Sequence, residues 1–348
     1  MTLRVIHVGL GGRGGHWLDF IAQRSDVTSV GLVDSSREMI EKARARPNLA
    51  NGKFFERLQD ALAAVPADFV LIASPSFLHA QQSLQALNAG LAVLVEKPLG
   101  VTLPEAAAVA KRARELGRPL VVAENYRFFQ AERTLRAFLD SGTAGRINNV
   151  IVIDRRAQAS NTQGPWVKSM PHPFLTEIGV HHFDAFRYLF ARELVSVLAS
   201  SFNPTGSDYD HEGGAHALLE FEDGLKLQYT GTFVASRYDY EMRIEAANGE
   251  VKSNRSKVWW RPKGERKFRE LPAQPLPPGE VQRYPLAGMT TILNQFIGAL
   301  QGRGVPETSG DDNLWTLAML EAAILSVREK RRVSIAEIFP PALRPGGR

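Results

Sequence analysis

An α/β fold is predicted, with an N-terminal doubly wound parallel sheet followed by an α+β domain built on a large, mostly antiparallel open sheet. Three observations predict it. The first third alternates short apolar runs with amphipathic stretches. A glycine-rich turn, Gly9-Leu10-Gly11-Gly12-Arg13-Gly14, stands directly behind the first run. Beyond about Glu124 the long helices between strand-like runs disappear.

The apolar runs are Leu3–Val8, Val27–Val33, 69–73, Ala92–Val95 and 120–123. Runs without polar alternation suit strands covered on both faces. Helical patterns separate them at 38–46, 77–89 and 104–116, the last with Thr102 as N-cap and Gly117 at its end. Strands alternating with helices of this length imply right-handed crossovers and a parallel sheet. In the second half, helices are expected at 131–140, 176–190, 290–300 and 313–328. Strands are expected at 147–154, 194–200, 217–221, 226–232, 240–246 and 257–260, with Glu222-Asp223-Gly224 closing a hairpin. The Pro-rich stretch 271–279 reads as an extended connection. Two domains follow, residues 1–123 and 124–339, with 340–348 as a mobile tail.

Composition narrows the function. The 348 residues include no cysteine, which excludes disulfides, thiolate metal sites and cysteine nucleophiles. The 42 basic residues barely exceed the 37 acidic ones. Arg261, Lys263, Arg266, Lys267 and Arg269 alternate with apolar and Pro residues, as a solvated face does, so no nucleic-acid partner is expected. No apolar run could span a bilayer and no signal-peptide pattern opens the chain, so a cytoplasmic location without membrane contact is expected.

The glycine turn has a specific logic. Gly9 allows a tight turn, Gly11 lacks the Cβ that would hold a pyrophosphate away, and Gly14 lets the helix pack near the strand. Gly12 and Arg13 complete the loop, whose amides and helix dipole face an anion. Asp34, at the end of the next strand, can accept both hydroxyls of an adenosine ribose and would repel a 2′-phosphate. NAD is therefore expected, while Ser35 and Arg37 leave NADP open.

Further motifs resemble those of the glucose–fructose oxidoreductase / inositol dehydrogenase (Gfo/Idh/MocA) family. They are Ile72-Ala73-Ser74-Pro75 with His79, Ala89-Gly90, Val95-Glu96-Lys97-Pro98, and the run from Glu177 through His181 and His182 to Asp184. The segment 296–333, with Pro306, Asp311 and Glu321-Ala322, resembles the family's closing helices. The resemblance implies that Ser74, Pro75, His79, Glu96 and Lys97 lie along the cofactor, with Lys97 beside the nicotinamide and Pro98 preceded by a cis bond. Lys97 would hydrogen-bond the substrate oxygen, and His181, an imidazole titrating near working pH, would be the general acid/base. Glu177, one helical turn before His181, stands where the family has Asp and would orient the substrate or His181. Asp184 is expected to be structural, and His182 a packing or surface residue.

Tyr126 and Arg127 either contact a polyhydroxylated substrate or pack at the domain hinge, and Trp166, Lys168 and His172 are candidates for substrate recognition. No metal is expected, because Glu177 and His181 lack third and fourth ligands of known placement. The activity expected is reversible oxidation of a secondary alcohol on a sugar, inositol or related polyol. The alternatives are a redox-neutral, NAD-dependent glycoside hydrolase and a non-catalytic dinucleotide sensor. Too few helices remain to cover both faces of the second sheet, so a homodimer or homotetramer through that sheet is expected.

Overall fold

The computed structural model describes residues 2–49, 52–157 and 165–345. Two compact units emerge: residues up to Glu124 with Gly279–Leu314, and Asn125–Pro278 with residues 315–345.

In the first unit the chain runs β1 (Leu3–Val8), α1 (Gly12–Ile21), β2 (Val27–Val33), α2 (Arg37–Arg44), β3 (Lys53–Phe55), α3 (Leu58–Ala64), β4 (Phe69–Ile72), α4 (His79–Asn88), β5 (Ala92–Val95), α5 (Leu103–Glu115) and β6 (Leu120–Val122). The six strands are ordered β3-β2-β1-β4-β5-β6, all parallel. Every residue of β4 and β5 is buried, as expected of strands with helices on both faces. Order reverses between β1 and β4, which opens a crevice at the carboxyl ends of the strands. The elements β3 and α3 were not expected.

The second unit contains α6 (Gln130–Asp140), β7 (Ile147–Ala157), α7 (Pro165–Lys168), α8 (Val180–Phe190), β8 (Leu194–Phe202), β9 (Gly214–Phe221), β10 (Lys226–Ala235), β11 (Asp239–Ala246), β12 (Gly249–Ser253), β13 (Val258–Pro262) and β14 (Arg269–Glu270). After α9 (Met289–Leu300) and α10 (Gly310–Glu329), β15 (Val333–Ser334) and α11 (Ile335–Ile338) complete the chain's main elements. The nine-stranded sheet is ordered β14-β13-β12-β11-β7-β10-β9-β8-β15 and is antiparallel except where β7 meets β10. Phe183 and Phe186 of α8 each lie 5.9 Å from the Tyr229 ring of β10 and so dock the helix on the sheet. Gly231 of β10 is required there, because a methyl group would run into the Phe174 ring.

Two expectations are corrected. Residues 279–314 cluster with the first unit instead of continuing the second domain. The apolar side of α9 turns Phe296 edge-on to Phe69 of β4, 5.0 Å between ring centres, while Thr308 accepts from the Val122 amide at 2.9 Å. The chain therefore returns to cover the sheet it had left. The described part of the expected mobile tail is also docked. Arg344 donates to the Phe339 carbonyl at 2.9 Å and lies 5.1 Å from the Trp315 ring.

Candidate active site

The crevice of the first unit is built mostly from backbone. Gly9 adopts φ +88°, and a Cβ there would stand 2.5 Å from the Ala73 carbonyl oxygen. A Cβ on Gly14 would collide with the carbonyl of Gly9. Both glycines are demanded by the protein's own packing. Gly11 is different. It is extended, and the nearest atom to a Cβ would be Met39 Sδ at an ordinary 3.6 Å, while Gly12 has nothing within 4 Å. Among the described residues, no protein atom comes closer than 3.6 Å to a Cβ at 11 or within 4 Å of one at 12.

Gly11, as N-cap of α1, offers no side-chain acceptor to the helix start. The amides of Gly12, Arg13 and Gly14 have no acceptor among the described residues. Orphan amides at a helix N-terminus beside an open space suit an anion, so the loop fits a dinucleotide pyrophosphate. Asp34 is locked by two amides, Leu10 donating to Oδ2 and Ser36 to Oδ1, each at 2.8 Å. With Gly9, Ser35, Ser74 and Pro75 it borders a cavity of about 260 Å³. Glu56, Arg57 and Gln82 line the same cavity. Their sequence surroundings carried no motif that could have singled them out.

Several residues expected along the cofactor are instead occupied with one another. Arg13 donates to Glu96 at 2.6 Å, Trp17 Nε1 donates to the same carboxylate oxygen at 2.7 Å, and Arg13 also reaches the Pro285 carbonyl. Burial would raise the Glu96 carboxyl, but these partners hold it below its ordinary range. Glu96 therefore ties α1 to the end of β5. The nitrogens of buried His79 meet the carbonyl oxygens of Pro98 at 2.7 Å and Ser74 at 2.8 Å, so this ring links two loops. Arg37 is exposed and paired with Glu56 at 2.9 Å. Lys97 is the second residue beyond β5, and its bond to Pro98 is cis. Since β1, β4 and β5 are neighbours, Gly9, Ser74 and Lys97 lie just beyond successive strand ends.

The second unit presents a different construction. The segment expected as one helix over 176–190 begins as a π-helical turn, Leu175–Gly179, in which the Val180 amide reaches back to Leu175. Such turns are frequent at functional sites, and here Glu177 sits inside it. His181, in the first turn of α8, is buried and stacks on Tyr126, ring centres 4.4 Å apart at 18°. The hydroxyl of Tyr126 accepts from Arg156 at 3.0 Å, and Arg156 in turn donates to Asp154 at 3.0 Å.

Asp154 is the hub. Arg255 approaches it at 3.7 Å, and His182 Nε2 lies 3.1 Å away while His182 Nδ1 meets the Tyr229 hydroxyl at 2.6 Å. Burial would raise the Asp154 carboxyl, but His182 and the two guanidiniums outweigh it and hold the group well below the carboxylate range. His182 is therefore a buried member of this network, pushed down to about 3 by burial and by Arg255, and neutral. Arg255 itself sits at φ +68°, with its guanidinium 4.4 Å from the Tyr126 ring and 3.9 Å from that of Tyr240. Beside it, Glu132 is pushed up to about 7 by burial, with Arg255 opposing.

Sequence reasoning missed Asp154, Arg156 and Arg255. One signal was present. Asp154 shares strand parity with Val150 and Val152, so it faces inward from β7. Nothing local announces Arg255, which reaches the cluster from the turn between β12 and β13.

The substrate candidates divide. Arg127 is buried and bidentate with Asp184, whose Oδ1 also accepts from Thr316 at 3.2 Å, so its charge is spent on structure. Tyr126 is committed to His181 and Arg156. Lys168 pairs with Asp208 at 3.4 Å, and His172, at φ +50°, lies 3.4 Å from Glu212. Trp166 falls in α7, and its side chain lies outside the described residues. Among the described residues no group of three or more acidic or histidine side chains is placed to hold a metal, and no helix is long and apolar enough to cross a membrane.

Comparison with known proteins agrees with this architecture. Residues 3–124 match the oxidoreductase family with the NAD-binding Rossmann fold, and residues 133–252 match the Gfo/Idh/MocA C-terminal domain. The chain is 30% identical to a D-apiose dehydrogenase of Paraburkholderia graminis, over 89% of this chain and 83% of the relative. It is 26% identical to an inositol 2-dehydrogenase of Rhizobium meliloti, over 97% and 100% of the two chains. An oxidoreductase from Agrobacterium radiobacter, solved with NAD+, L-tartaric acid and magnesium, shares the fold with a TM-score of 0.84 at 18% identity, covering 97% of this chain and 99% of that one. The chain thus belongs to the Gfo/Idh/MocA family of oxidoreductases with an NAD-binding Rossmann fold, and it is an NAD(P)-dependent dehydrogenase or reductase.

Proposed function

We propose that the protein reversibly oxidises a secondary alcohol on a sugar, inositol or related polyol. The observation that carries this is Lys97 at the carboxyl end of β5, on the same sheet edge as the glycine loop. Strands lie about 4.8 Å apart, so the edge runs from Asp34 beyond β2, through Gly9 and Ser74, to Lys97 beyond β5. A dinucleotide with its adenosine at Asp34 and its pyrophosphate on Gly11, Gly12 and Gly14 would extend toward Lys97. The relatives named as D-apiose and inositol dehydrogenases support a polyol substrate.

When bound, the nicotinamide accepts or returns a hydride at its C4. The Lys97 ammonium donates a hydrogen bond to the substrate oxygen and favours its alkoxide-like form. His181 takes the hydroxyl proton during oxidation and returns it during reduction. Glu177 orients the substrate or His181 from the π-helical turn. Asp34 would accept from ribose hydroxyls and repel a 2′-phosphate, and Arg37 is engaged by Glu56, so NAD is favoured over NADP.

The test is the appearance of reduced cofactor across a panel of sugars and polyols. Lys97→Ala and His181→Ala should each lower kcat by about 10²–10⁴-fold. Unchanged turnover in both variants would overturn the assignment. Cleavage of a glycosidic bond without accumulation of NADH would favour the redox-neutral hydrolase, and binding without turnover would favour a sensor.

We also infer a cytoplasmic protein that assembles as a homodimer or homotetramer through the second sheet. One register row of that sheet runs Leu198, Leu218, Gln228 and Ile151, with Leu198 41% exposed. A monomer by light scattering would count against that assembly.

A further inference from the structure

We propose that Tyr126 is a positioning residue for His181, and that Arg156 and Asp154 act through it. This inference rests on the assignment of His181 as the proton-transfer group. A general base is effective only when its ring is held in line with the proton it takes. A histidine side chain has two rotatable bonds, and something must restrict them. The near-parallel stack at 4.4 Å and 18° does so by covering one face of the imidazole.

Stacking on a ring that could itself rotate would fix little. Tyr126 is anchored at both ends. Its backbone lies in a single helical turn, Tyr126–Phe128, and its hydroxyl is held by Arg156 at 3.0 Å. Arg156 is oriented by two bonds to one oxygen of Asp154, from Nη2 at 3.0 Å and from Nε at 3.3 Å. Asp154 is fully buried on β7, within the nine-stranded sheet, and Arg255 lies against both Asp154 and the Tyr126 ring. Orientation therefore passes from a central strand, through a carboxylate and a guanidinium, to a phenol ring, and from there to His181. Arg255 holds a left-handed backbone conformation to reach this cluster. Such a conformation is unfavourable in a non-glycine residue and tends to be retained at functional sites.

The network explains one buried and two partly buried charged side chains that proton transfer itself does not need. Replacing Asp154, Arg156 and Arg255 by apolar residues would often be neutral for stability. Their value on this proposal is the geometry they impose on one ring.

The test uses the full-length protein with NAD and whichever panel polyol gives the highest turnover. Tyr126→Leu removes the stack and should lower kcat by about thirtyfold or more, with KM for NAD unchanged. Tyr126→Phe keeps the ring but frees it from Arg156, and should lose only about three- to tenfold. Arg156→Met should match Tyr126→Phe, and the double variant should cost little more than either, because both cut one link. A second readout needs no substrate. In histidine-labelled protein, the ring-proton resonances missing from a His181→Asn spectrum belong to His181. They should sit upfield through the Tyr126 ring current, stay there in Tyr126→Phe, and move downfield in Tyr126→Leu. Wild-type kcat in Tyr126→Leu, or simply additive losses in the double variant, would overturn the proposal. Wild-type turnover in His181→Ala would instead overturn the catalytic assignment beneath it.

Discussion

The two units build their chemistry from opposite materials. The crevice of the first unit is a matter of what is missing: methyl groups at Gly9, Gly11, Gly12 and Gly14, and acceptors for the first amides of α1. The cluster around His181 is a matter of what is present, with Glu132, Asp154, Arg156, His182 and Arg255 brought together from four segments. In the first, adding an atom should do the damage. In the second, removing one should.

The largest effect is expected in the second unit. Arg127→Met removes the bidentate partner of the buried Asp184 carboxylate, and breaking such a pair costs about 3–5 kcal/mol. Urea unfolding measures the loss. In the first unit the equivalent blow is a single methyl. Gly14→Ala should cost about 3 kcal/mol through its collision with the Gly9 carbonyl, whereas Gly12→Ala should change the unfolding free energy by no more than about 0.5 kcal/mol. If both glycine variants unfolded alike, the loop would not be constrained as the packing implies.

Glu132 gives a smaller and pH-dependent effect. Its folded-state pKa of about 7 lies above the ordinary carboxylate value, so the folded protein binds the extra proton. Stability is then fully present below about pH 4.5 and declines as pH rises through about 7, by about 3–4 kcal/mol at most. Glu132→Gln should flatten that decline in melting temperature and be no less stable than wild type at pH 8. A steeper decline in the variant would mean that the carboxylate is ionised and paired with Arg255. The smallest effect concerns selectivity. Asp34→Ala should narrow the preference for NAD over NADP by about tenfold, because one negative charge is removed from beside the 2′ position.

The same contrast explains how much was legible in the sequence. Gly9, Gly11 and Gly14 lie within six residues and are constrained by local backbone, so their spacing, with Asp34 at the end of the next strand, announces a strand, a turn and a helix. The helix pattern of α5, with Thr102 accepting from the Glu105 amide, was legible for the same reason. His181 and Asp184 could be named through motif resemblance, but not the side chains that hold them. Asp154 and Arg255 are about a hundred residues apart and meet only because β7 pairs with β11, and β11 with β12. Pairing of that kind leaves no periodic trace. The return of α9 to the first unit was hidden likewise, since amphipathic periodicity shows that a helix has an apolar face but not which sheet receives it.

The dinucleotide on bare backbone is the claim on which the proposed chemistry depends, and Gly11 tests it most directly. Its Cβ would meet no protein atom closer than 3.6 Å, so Gly11→Ala should fold as wild type. Calorimetric titration of NAD should give clear saturable binding in the wild type and a loss of about tenfold or more in affinity in Gly11→Ala, at an unchanged melting temperature. Equal NAD affinity in the two proteins would contradict a pyrophosphate resting on that amide.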